Sequence, residues 1–193
     1  MRIMKKIALM GEDGCGKSSI LEELQTNFAS LFSNLSLKTY DILGKSMQIV
    51  DCKDYLYKNG NFSKELLEII DSIDYLIYIF DVQDKIKNIE SVVLLQKLLR
   101  IKNRFSKSFN LAILFHKFDD KKDPEALKEY CSILHSVVKI TALNPIPIYH
   151  FKTSIYRPYS LITAFSKPIF DHEGIFSPMK VKGIGPPQLK RLQ

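Results

Sequence analysis

The stretch that decides the fold is Lys5-Lys6-Ile7-Ala8-Leu9-Met10 running into Gly11-Glu12-Asp13-Gly14-Cys15-Gly16-Lys17-Ser18. The first six residues read as a short strand. From Ser18 onward apolar residues recur at Leu21, Leu24, Phe28 and Leu31, the spacing of a helix expected to reach Phe32. A strand, a glycine-rich turn and a helix form the setting in which G-x-x-x-x-G-K-[ST] has a mechanism. Glycines at 11, 14 and 16 let the backbone bend so that successive N–H groups face inward, and the helix N-terminus adds partial positive charge. That arrangement suits phosphate oxygens. Lys17 is expected to bridge β- and γ-phosphates and is the catalytic candidate, while the Ser18 hydroxyl is a candidate Mg²⁺ ligand. Asp13, Cys15 and Ser19 complete the expected binding set of this loop. Glu12 and Asp13 bring two carboxylates near polyphosphate, which is repulsive unless they point outward or toward the metal.

Outward from this loop, strands and helices alternate. Residues 37–43 and 47–50 read as weak strands joined at Gly44 and Lys45, and 63–72 as a helix with Ser63 as N-cap. Residues 75–80, YLIYIF, are almost wholly apolar, as in a strand covered on both faces. A long helix is expected over 86–105, a buried strand over 111–115, and then a helix opened by Asp123 and Pro124. Its apolar spacing is read at Leu127, Tyr130, Leu134 and Val138. A last strand over 146–151 leads to a helix from Tyr159 that Pro168 should stop. The order predicts an α/β fold, a three-layer P-loop NTPase of the small-GTPase kind, with a mainly parallel sheet and helices on both faces. Ligands of such sheets sit at the edge made by the strand C-termini. Residues 1–170 form the expected domain. Residues 171–193, rich in Gly and Pro and carrying Lys180, Lys182, Lys190 and Arg191, are expected to be a basic, extended tail.

Composition agrees with one globular domain: 193 residues, 46% hydrophobic, 25% charged, with eight Gly and eight Pro. No apolar run approaches the roughly 18 to 20 residues that span a bilayer, and no cleavage pattern follows the first ten residues, so a cytoplasmic location is expected. Cys15, Cys52 and Cys131 have neither disulfide nor zinc spacing. The charge of +7 is spread over helix faces and loops, so nucleic acid is not an expected partner.

Two carboxylates compete for the metal, Asp51 after 47–50 and Asp81 after 75–80, and the order of elements favours Asp51. Base choice is expected at His116-Lys117-Phe118-Asp119, which is similar to the [N/T/H]-K-x-D element of GTPases. There the carboxylate accepts from guanine N1–H and the 2-amino group, and the Lys stem lies over the base. Adenine lacks both donors and would leave a buried carboxylate unpaired. Phe151-Lys152-Thr153-Ser154-Ile155 falls where such folds carry the loop that approaches guanine O6, so Thr153, Ser154 and Ile155 join the expected site. His135, His150 and His172 lack metal spacing.

Several stretches together resemble the Rag/Gtr GTPases, and more particularly their C/D branch. They are Gly16-Lys17-Ser18-Ser19-Ile20, Leu76-Ile77-Tyr78-Ile79-Phe80-Asp81-Val82-Gln83-Asp84, Phe115-His116-Lys117-Phe118-Asp119, Thr153-Ser154-Ile155-Tyr156 and Ala164-Phe165-Ser166-Lys167. The resemblance implies a GTP/GDP- and Mg²⁺-binding subunit of a heterodimer that signals nutrient status to the TOR kinase complex. It implies a Rag/Gtr-like or other signalling partner, and recruitment to lysosomal or vacuolar membranes through partners.

The chain departs from that pattern at Asp51-Cys52-Lys53-Asp54-Tyr55, where D-x-x-G and a following Gln are usual. Two expectations stand side by side: weak or partner-dependent hydrolysis, or an inactive nucleotide-bound scaffold. The connection from Ser18 to Asp51 is short, with Thr39 the candidate for a metal-binding Thr. The family's further roadblock-like domain would need about 100 residues, more than follow Phe170. A P-loop kinase would instead need an arginine lid, but Arg100, Arg104 and Arg157 fall on a helix or in the base loop.

Overall fold

The computed structural model describes residues 5–27, 32–36, 39–42, 45–52, 61–102, 109–119, 123–142 and 148–170. The chain runs β1 (Lys5–Met10), α1 (Lys17–Asn27), β2 (Phe32–Ser36), β3 (Thr39–Ile42), β4 (Lys45–Asp51), α2 (Lys64–Ser72) and β5 (Tyr75–Asp81). It continues through α3 (Lys85–Lys102), β6 (Asn110–His116), α4 (Pro124–Thr141), β7 (Ile148–Lys152) and α5 (Pro158–Phe170).

Every residue of β5 is buried, because this strand lies in the middle of the sheet between β1 and β6. The seven strands are ordered β2-β3-β4-β1-β5-β6-β7. β4, β1, β5, β6 and β7 are parallel, and β2 and β3 add an antiparallel edge. Alternate strand residues face opposite ways. Ile7, Leu9, Ile77, Ile79, Ala112 and Leu114 meet Ile20 and Leu24 of α1 and Leu161, Ala164 and Phe165 of α5. Ala8, Met10, Leu76, Tyr78, Phe80, Ile113 and Phe115 face the layer formed by α2, α3 and α4. The result is the expected three-layer α/β architecture.

Local signals placed most helix starts. Ser63 Oγ accepts from Leu66 N at 3.1 Å, and Asp123 Oδ1 accepts from Glu125 N at 2.9 Å and Ala126 N at 3.3 Å, each satisfying first-turn donors. Two readings need correction, and in α4 packing chooses the covered face. Phe32 opens β2 instead of ending α1, whose described residues stop at Asn27. In α4 the buried stripe is Ala126, Ile133, Val137 and Ile140, while Leu127 and Val138 are 43% and 55% exposed. Tyr130 and Leu134 are partly buried beside that stripe. This helix carries apolar residues on more than one face, and only the sheet selects which is covered. Finally, α5 begins at Pro158 and continues through Pro168 to Phe170. A proline in the last turn removes only one ladder bond and leaves little helix to kink.

Thr39 lies in β3, opposite Gln48 of β4. The β3–β4 hairpin closes at Ile42 and Lys45, with residues 43 and 44 outside the described residues. Also outside them are the expected end of the long helix at 103–105, the start of the last strand at 146–147, and the tail at 171–193. Among the described residues no helix is long and apolar enough to cross a membrane.

Candidate functional site

The parallel strands direct the ends of β1, β4, β5 and β6 to one edge of the sheet. From Met10 the chain turns through Gly11 to Gly16 before Lys17 opens α1. Two glycines are required by close approach. A Cβ on Gly11 would stand 2.5 Å from the Ile79 carbonyl oxygen of β5, and one on Gly16 2.6 Å from His116 Cδ2. Gly16 also has φ +101, a region L-residues rarely adopt. The loop therefore lies directly against β5 and the end of β6.

Lys17 is only 8% exposed, and its ammonium donates to the carbonyls of Gly11 at 2.5 Å and Glu12 at 3.2 Å. The cation is held at the loop rather than extended into solvent. Ser18 and Ser19 are exposed in the first turn of α1, and Asp13 and Gly14 are exposed at the crest of the loop, whereas Cys15 is buried. A contact not legible in the sequence comes from α3. Lys87 Nζ donates to the Asp13 carbonyl at 2.9 Å and lies 3.6 Å from Asp84 Oδ2. Its only sequence signal is a place early in the helix after β5.

The two competing carboxylates lie on opposite sides of β1. Asp51 ends β4 opposite Leu9 of β1, and its Oδ1 is buried. The neighbouring Cys52 thiol is pushed up to about 12, first by burial and then by the Asp51 charge, with Lys17 opposing. Cys52 thus senses both Asp51 and Lys17. Asp81 ends β5 on the side toward β6 and accepts from Lys117 Nζ at 2.6 Å and Gln83 N at 2.9 Å. Asp81 is the counter-ion of Lys117, and the pair fixes where the Lys117 stem runs.

Lys117 follows β6 with φ +59, the one non-glycine positive φ among the described residues. Such a conformation costs about 1–2 kcal/mol and is held by its surroundings: Val82 N donates to His116 O, Phe118 N to Thr153 O, and Gln83 Nε2 to Lys117 O at 3.0 Å. Asp119 then accepts Ser154 Oγ on Oδ1 at 2.6 Å and Gln83 Nε2 on Oδ2 at 3.2 Å. Arg157 donates to the Asp119 carbonyl, and Tyr156 N to Ser154 Oγ at 3.1 Å, so the segments 116–119 and 153–157 are knitted together. Phe118 is buried edge-on to Tyr130, with Lys152 Nζ 4.0 Å from the centre of the Tyr130 ring.

His116 joins these parts. It is 1% exposed, its ring covers Gly16, and Nδ1 lies 3.1 Å from Thr153 Oγ1. Burial lowers its pKa to about 4 against the pull of Asp119 and Asp81, so the imidazole is neutral at pH 7.

The structure brings the Gly11–Ser19 loop, His116–Asp119 and Thr153–Ile155 to one edge, with Asp51 at the flank of the loop. Among the described residues no three His, Cys, Asp or Glu side chains converge on a metal position. A magnesium ion would fit only as a phosphate-borne ion, with Ser18 and Asp51 supplying oxygen and the rest coming from phosphate and water. Of the arginines considered for a lid, Arg157 is engaged at Asp119, Arg100 is exposed on α3, and Arg104 lies outside the described residues. The chemistry on offer is a phosphate cradle beside an oriented carboxylate acceptor.

Comparison with known proteins agrees with this arrangement. The family model described as the Gtr1/RagA G protein conserved region matches residues 6–171. The GTP-binding protein GTR1 of Saccharomyces cerevisiae is 27% identical over 175 residues, covering 82% of this chain. The chain spans about half, 56%, of that relative's length. With a family match from residue 6 to residue 171, and with the loop, carboxylate and strand order found together, this chain belongs to the Gtr1/RagA family of G proteins.

Proposed function

We propose that this chain binds GTP and GDP as a Rag/Gtr-type small GTPase whose hydrolysis is weak or depends on a partner. The observation that carries the reading is the pairing, at one sheet edge, of a glycine loop closed by Lys17 with an Asp119 carboxylate oriented by Ser154. Gly11, Gly14 and Gly16 let loop amides face phosphate, and Lys17 supplies the adjacent cation. Asp119 takes the two parallel donors of guanine, while Thr153, Ser154 and Ile155 carry the backbone beside O6. His116 holds the two loops in register. Mg²⁺, held by Ser18 and Asp51, would neutralise charge developing on the phosphates.

Adenine offers no donor pair to Asp119 and would leave that carboxylate unpaired. Nucleotide-stripped protein should therefore bind fluorescent GDP at least about a hundredfold better than ADP. Asp119→Ala should erase most of that preference. Equal binding of the two nucleotides would end the guanine reading.

The family resemblance implies a role as a subunit in nutrient signalling to TOR kinase, and that role belongs to the same proposal. In this reading residues 1–170 are the G domain, residues 171–193 a basic tail, and a Rag/Gtr-like GTPase or other signalling protein the partner. The chain would work in the cytoplasm, recruited to lysosomal or vacuolar membrane through that partner. A second reading, a nucleotide-loaded scaffold without turnover, is favoured by one observation: Asp51-Cys52-Lys53-Asp54-Tyr55 has neither the Gly nor the Gln that position the γ-phosphate and water. Single-turnover GTP hydrolysis, alone and with candidate partners, separates the two. No turnover in either setting would leave the scaffold.

A further inference from the structure

Resting on the guanine reading of the base site, a residue that was not among the expected site residues acquires a role. We infer that Gln83 is a specificity residue of that site: its carboxamide competes with the exocyclic 2-amino group of guanine for Asp119 Oδ2. The protein consequently separates guanine from hypoxanthine less sharply than Asp119 alone would.

Three observations carry this. First, both carboxylate oxygens of Asp119 have protein donors, Ser154 Oγ on Oδ1 at 2.6 Å and Gln83 Nε2 on Oδ2 at 3.2 Å. Second, the orientation of the Gln83 amide is determined by its neighbours. The same Nε2 lies 3.0 Å from the Lys117 carbonyl oxygen, so both atoms it faces are acceptors and the NH₂ end must point at them. Third, the residue is anchored at its backbone and solvent-exposed at its head. Gln83 N donates to Asp81 Oδ1 at 2.9 Å and Val82 N to His116 O at 3.1 Å, whereas the Gln83 side chain is exposed.

Guanine presents N1–H and the 2-amino group side by side, and hypoxanthine keeps N1–H but lacks the amino group. Oδ2 can accept more than one hydrogen bond, but a donor already seated there takes one of its lone pairs and crowds the approach of the guanine amino group, a cost that hypoxanthine does not meet. Ser154 differs, because its bond to Oδ1 is short and shielded and its hydroxyl also accepts from Tyr156 N. The exposed Gln83 head is the group that moves. Water replaces it at little cost, so the effect is modest.

The test compares wild type, Gln83→Met, which keeps length without a donor, and Gln83→Ala. Each is measured with fluorescent GDP, IDP and ADP in Mg²⁺, with thermal melts showing that the variants fold. Both variants should bind GDP about three- to tenfold more tightly, a range expected for exchanging one partly exposed charge-assisted hydrogen bond. IDP binding should stay within about twofold, so that the GDP-to-IDP ratio widens. If GDP and IDP shift together, or neither shifts, while ADP is still rejected, the base site stands and the role of Gln83 is overturned. If wild type binds ADP as well as GDP, the guanine reading fails and this inference goes with it.

Discussion

His116→Asn should make the protein markedly less sensitive to mild acid. The imidazole is 1% exposed, its ring lies against Gly16, and burial lowers its pKa to about 4 from an ordinary 6.5. A lowered pKa means that the unfolded chain binds the proton first, so stability is complete above about pH 6.5 and falls as the pH drops toward 4. Linkage between those two values gives a loss of roughly 1 kcal/mol at pH 5.5 that rises to roughly 3 kcal/mol by pH 4. Urea unfolding of wild type and variant between pH 7.5 and 4.5 reads this directly. The carboxylates and other histidines are common to both proteins, so the difference between the two curves isolates position 116. That difference should grow by roughly 2–3 kcal/mol across the range in favour of the variant, whatever its offset at pH 7.5. Parallel curves would mean that the ring is not buried neutral against the loop, and the account of how the two loops are joined would be wrong.

Other perturbations test separate parts of the site. Gly16→Ala forces a Cβ to 2.6 Å from His116 Cδ2 at φ +101, and should cost about 2–5 kcal/mol and lower the melting temperature by about 10 °C; an unchanged melt refutes the close approach. Lys117→Met leaves the nearly buried Asp81 carboxylate without its cation, at a cost of about 1–3 kcal/mol after allowing for the one-third exposure of Lys117. Adding Asp81→Asn should recover part of that loss, and simple additivity in a double-mutant cycle would show that the pair is not coupled. Asp123→Ala removes the cap of α4 and should cost about 1 kcal/mol in denaturant unfolding. Tyr78→Phe strips the donor from the buried Ser91 carbonyl, 2.9 Å away, and should cost about 1–2 kcal/mol; no change would point to water at that position.

Much of the molecule can be read from local chemistry. The glycine loop, the caps at Ser63 and Asp123, and the wholly apolar 75–80 are short-range signals. Each depends on backbone dihedrals, first-turn donors or simple transfer from water, and the structure realises all three. Strand and helix alternation then restricts the fold to a parallel sheet with one binding edge. Packing decided what the local pattern left open or misjudged: α4 forms as its spacing predicts but turns Ala126 and Val137 inward and leaves Leu127 and Val138 exposed, and Phe32 joins an edge strand.

The partners of the site's charges were likewise invisible along the chain. Asp81 and Lys117 are 36 residues apart and meet because β5 and β6 end side by side, and Gln83 reaches Asp119 for the same reason. A sequence can place a carboxylate at the end of a strand, because that follows from periodicity. Which cation or amide stands opposite depends on the register between strands distant in the chain, and only the folded sheet sets that register.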